Sequence, residues 1–72
     1  MIRIGVTGRI VSGDRAGAYV RIEALRPEDP PSYLVHVAAD RHFSVEGGDE
    51  WVEDLPSLRQ YVAESGWAIA WE

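Results

Sequence analysis

The chain has no cysteine, which removes both a disulfide framework and a thiolate zinc site as ways of stapling so short a polypeptide. Packing, or a partner, has to hold it together. Lysine is missing as well, and all seven basic residues are Arg. A phosphate loop of the form G-x-x-x-x-G-K-[ST] is therefore absent, and Gly5, Gly8, Gly13 and Gly17 read as bulge and turn residues. Apolar runs extend over only a few residues, against the roughly 18 to 20 that a membrane span needs. The start, Met1-Ile2-Arg3-Ile4-Gly5, lacks the basic segment, long apolar run and cleavage site of a secretory signal. A cytoplasmic protein is expected.

Positive charge is also in short supply. The net charge is −5, which opposes general nucleic-acid binding, because that binding draws its affinity from neutralised phosphates. The deficit is uneven: residues 1 to 26 carry five Arg against Asp14 and Glu23, and the remainder carries two Arg against ten acids. No nucleophile set stands out either. Ser12, Ser32, Ser44, Ser57 and Ser65 lack an elbow context, so the chain is expected not to be an enzyme and to need no cofactor or metal.

What is present suffices for one core. In 72 residues, 46% are hydrophobic and three are Trp, enough to pack one sheet against one helix in a single domain spanning residues 1 to 72. Ile2, Ile4, Val6, Gly8 and Ile10 alternate with Arg3, Gly5, Thr7 and Arg9, which predicts a half-buried strand over residues 2 to 11. Residues 12 to 17 have hairpin-loop chemistry. A second strand is predicted over 18 to 26, with Val20, Ile22 and Ala24 inward and Tyr19, Arg21 and Glu23 outward. Three prolines among Arg26-Pro27-Glu28-Asp29-Pro30-Pro31 rule out a central strand and predict a connecting loop. Ser32 to Ala39 reads as a third strand, with Tyr33, Val35 and Val37 on one face. A short fourth strand is predicted over 41 to 46, ended by Gly47-Gly48.

From residue 54 the period changes. Leu55, Leu58 and Val62 fall at i, i+3 and i+7, an amphipathic helix capped by Asp54, admitting Pro56 in its first turn and stopped by Gly66. Trp67, Ile69 and Trp71 alternate with Ala68 and Ala70, predicting a last strand with a large-residue face and a small, closely approachable alanine face. The fold class expected is α+β: a mainly antiparallel sheet of four or five strands with one helix packed on one face, in the order β-β-β-(β)-α-β. The last strand pairs either with the fourth, in parallel and through a right-handed crossover, or with the first, antiparallel.

The segment Gly47-Gly48-Asp49-Glu50-Trp51-Val52-Glu53-Asp54-Leu55 and the ending Ser65-Gly66-Trp67 to Trp71-Glu72 resemble a group of small uncharacterised bacterial proteins that share an acidic W-V-E-D helix start and an S-G-W-x-(I/V)-x-W C-terminus. The resemblance implies an α+β domain and carries no catalytic residues.

Three side-chain sets qualify as sites. Glu46, Asp49, Glu50, Glu53 and Asp54 surround Trp51, an aromatic anchor in a charged rim suited to a protein partner, as in an immunity-like protein or a regulatory subunit. The bland alternative is a solvated helix start with Trp51 in the core. A second copy of the chain covering a strand edge is the other partner expected. His36, Asp40 and His42 share parity and suit a metal or acid/base pair, unless the turn at Asp40-Arg41 breaks that parity. Arg3, Arg9, Arg21 and Tyr19 make a modest basic platform for single-stranded nucleic acid. Tyr61, Trp67 and Trp71 read as core.

Overall fold

The alternation of apolar and polar residues is realised as a five-stranded sheet. The structure, a computed structural model, describes residues 2–25, 30–44 and 47–72. Its elements are β1 (Thr7–Ser12), β2 (Tyr19–Leu25), β3 (Ser32–Ala38), β4 (Gly48–Val52), α1 (Leu55–Ser65) and β5 (Ala68–Trp71). The spatial order is β4-β3-β2-β1-β5, and every neighbouring pair is antiparallel. The last strand therefore pairs with the first, and β4 and β5 lie in the same direction at opposite edges, joined by α1. The expected order of elements holds.

Register decides which side chains meet. Gly8, Val20 and Val37 stand in one row, and Ile22 and Val35 in the next, so these residues share a face with Ile10, two residues on from Gly8. Ile10, Val20, Ile22 and Leu58 are completely buried and Val35 nearly so. Leu58 of α1 belongs to this same cluster, with Ile2, Leu55, Tyr61, Val62, Trp67, Ile69 and Trp71 packed around it. Tyr61, Trp67 and Trp71 thus line the core rather than fill it.

Two predicted boundaries are corrected. β1 starts at Thr7, not at residue 2, because Gly5 takes φ 75° and turns the chain out of extended geometry. Ile4, expected inward, is consequently 40% exposed. The fourth strand is not at 41 to 46. Residues 41 and 42 form a turn in which the Asp40 carbonyl accepts from Phe43 N–H at 3.1 Å, and Phe43 has φ 57°. Residues 45 and 46 lie outside the described residues. The strand begins at Gly48, so Gly47-Gly48 opens it. A Cβ on Gly47 would run into the Val37 carbonyl oxygen and Ala38 Cα; only glycine allows that approach. The alanine face of β5 is exposed, with nothing packed on it among the described residues. The close approach occurs on the other side, where Gly8 leaves room for Ile69 and Trp71: a Cβ there would lie 2.5 Å from Ile69 Cγ2 and 2.8 Å from Trp71 Cε3.

The helix is bounded as its residues dictate. Asp54 accepts from Ser57 N–H at 2.8 Å, and Pro56 sits in the first turn. At the far end Gly66 adopts φ 67° and donates to Ala63, while Trp67 N–H donates to the Val62 carbonyl, the paired bonds of a Schellman motif. Among the described residues, no helix is long and apolar enough to cross a membrane.

Candidate functional site

Asp49, Glu50 and Trp51 of the acidic segment lie on the edge strand β4, and Glu53 and Asp54 follow it; the pleat divides the strand residues between two faces. Asp49 stands opposite His36, and Trp51 opposite Leu34, on the face away from the core; Glu50 stands opposite Val35 and Val52 opposite Tyr33, on the core face. Trp51 is 56% exposed, so it is not a core residue. Glu53 is exposed, and Asp54 is committed to the helix start. Its bonds to Ser57 hold the Asp54 carboxyl below the usual aspartate range. Glu46 lies outside the described residues.

The face that bears Trp51 is polar and partly covered. Tyr19, Arg21, Glu23, Leu34 and His36 are half-buried there. Arg9 pairs with Tyr19, and Arg21 with Thr7. The Arg21 guanidinium is already engaged: Nε donates to Glu23 Oε1 at 2.9 Å and Nη1 to Thr7 Oγ1 at 3.5 Å. Of the basic platform, Arg9, Arg21 and Tyr19 share this face; Arg3 precedes the strand.

His36, Asp40 and His42 are not brought together. The Asp40 carboxylate accepts from Ser44 N–H at 3.0 Å and from Ser44 Oγ–H at 2.6 Å, which pins the turn that breaks strand parity. His36 and His42 do share a groove of about 370 Å³ with Arg21, Arg41 and Phe43. Both guanidiniums there are ion-paired, Arg21 with Glu23, which also lines the groove, and Arg41 with Glu72. Among the described residues, no three His, Asp or Glu side chains are grouped to hold a metal ion.

A further cleft, of about 160 Å³, lies beside β4 on the core face. Val35 and Val37 line it, together with Tyr61, Trp67, Asp14, Arg15 and Glu50. Tyr61 and Trp67 meet edge to face, with centroids 5.6 Å apart and planes at 89°. Trp67 Nε1–H donates to the Asp14 carbonyl at 2.5 Å, and Asp14 N–H donates to the Ser65 carbonyl at 2.9 Å. Burial pushes the Tyr61 phenol above its ordinary value, and the carboxylates of Glu50 and Asp14 push it further, against Arg15. Sequence reasoning missed this arrangement. The hairpin loop read only as a turn, and no local pattern connects Asp14 to Tyr61 or Glu50. An apolar groove of about 580 Å³ lies elsewhere, between Ile2, Ile4, Leu55 and Val62, with Arg59 in its lining.

The chain matches no protein-family model, no curated protein and no solved structure.

Proposed function

We propose that the chain is a small, non-enzymatic binding module that takes a basic protein partner on β4 around Trp51, with α1 packed over the opposite face of the sheet as its cover. The observation that carries this reading is the exposed Trp51 on an edge strand, beside half-buried Leu34 and exposed Asp49. An indole left in water on a marginally stable domain forgoes burial that the fold could use, and aromatic anchors of this kind dominate interface energetics. Asp49, Glu53 and the net charge of −5 favour a partner of opposite sign. Among the described residues β4 pairs only with β3, so its outer edge is open to an added strand.

The test is capture from host lysate on the immobilised protein, with wild type, Trp51→Ala and Ala70→Ser compared. A protein retained by wild type and Ala70→Ser and lost from Trp51→Ala supports the reading. Identical profiles for wild type and Trp51→Ala overturn it.

A further inference from the structure

The cleft between the β1–β2 loop, β4 and the end of α1 has walls of two kinds, and both favour the same guest. Tyr61 and Trp67 stand at right angles, giving the corner of an aromatic cage whose ring faces attract organic cations. Asp14 and Glu50 supply carboxylates at the same cleft. The Trp67 indole is held by its bond to the Asp14 carbonyl, so the corner is preorganised rather than assembled on binding. The chain's own Arg15 is already there. A Cβ on Gly48 would have Arg15 Nη1 as its only neighbour within 4 Å, at 3.9 Å. Arg15 holds that position from a backbone with φ 63°, a conformation that costs a non-glycine residue free energy, and no ion pair ties it down among the described residues. The absent side chain at Gly48 is what leaves the cleft open toward β4.

We propose that this cleft is a binding subsite for the guanidinium or ammonium end of an Arg or Lys side chain on the basic partner, and that Arg15 is an internal cation displaced when the partner's enters. The proposal rests on the partner reading above, and it places a second contact of that partner on the core face of β4, across the strand from Trp51.

The test is titration of the intact chain with tetramethylammonium and with Nα-acetyl-arginine methylamide, following the indole N–H resonances by NMR against sodium chloride at equal ionic strength. The expected result is a saturable shift of the Trp67 resonance that sodium chloride does not reproduce. Glu50→Gln weakens it by about three- to tenfold, Arg15→Ala strengthens it, and Trp51→Ala leaves it unchanged. No saturable shift, a shift reproduced by sodium chloride, or one indifferent to Glu50→Gln overturns the subsite. The two readings fail separately. Saturable binding at Trp67 when lysate capture is indifferent to Trp51→Ala upholds the cleft and removes the partner face; capture that depends on Trp51 without cation binding at Trp67 overturns the cleft alone.

Discussion

The two edges of the sheet each carry a tryptophan and use it in opposite ways. On β5, Trp71 pairs with Gly8 and turns to the core side, where the missing side chain at Gly8 makes room for its ring. On β4, Trp51 pairs with Leu34 on the other face and remains 56% exposed. Both strands are short, and both pair with one neighbour only among the described residues. The difference is one of parity: a side chain one position along a strand points to the other face of the pleat. An edge tryptophan is thus structural or available according to its register, whatever its neighbours in sequence.

That contrast can be broken experimentally. The largest effect is expected at β5. Trp71→Ala removes a ring packed against the core and should cost about 2 to 3 kcal/mol, at the low end for a large-to-small change because the ring is only partly buried; denaturant unfolding measures it. A loss within about 0.5 kcal/mol would mean that β5 is an edge of the same kind as β4.

A smaller effect is expected at Asp54, which follows β4 and starts the helix that carries the chain to the other edge. Its folded carboxyl is more acidic than its unfolded one, since Ser57 donates to the charged form. The stability it contributes is fully present above the unfolded value and is lost as pH falls below about 4, through the folded value. Asp54→Ala should therefore lower the melting temperature at neutral pH and converge on wild type in acid. A difference that persists unchanged in acid would show that the carboxylate is not what caps α1.

The smallest effect on stability is expected where the largest effect on binding is proposed. Trp51→Ala should change unfolding free energy by no more than about 0.5 kcal/mol, as surface substitutions usually do. A loss comparable with that of Trp71→Ala would show that Trp51 is part of the fold and would erase the contrast between the edges.

Much of the fold was legible because its signals are local. Val20, Ile22, Val35 and Val37 announced the inner face by period two, and Asp54, Pro56, Leu58 and Gly66 marked the helix and its ends by rules that act within a few residues. The fourth strand was misplaced for the same reason. Phe43 looks like a strand residue but takes φ 57° in a turn that Asp40 closes through Ser44, and Asp49 and Glu50 look like loop residues yet pair with His36 and Val35. Strand propensity is weak at an edge, where one flank has no partner to satisfy.

The candidate sites were legible only in part. The acidic segment was visible as a run of charge around Trp51, but its division between two faces depends on the register of β4 against β3. The histidine set was readable as a pattern and dissolved by a single turn. The cleft of Asp14, Arg15, Tyr61 and Trp67 was not readable at all, because it joins a hairpin loop to a helix end through the bond from Asp14 N–H to the Ser65 carbonyl and the contact of Gly13 with Gly66.

By itself the sequence determined the class of the central strands and of the helix, the inward face of those strands and the limits of the helix, since periodicity, capping and turn chemistry are properties of neighbouring residues. Only the tertiary structure decided that β5 pairs with β1, that Trp51 faces out, and that a loop cation lies beside an aromatic corner. Those outcomes depend on which strands become neighbours and in what register, and long-range pairing is settled by the packing of the whole chain.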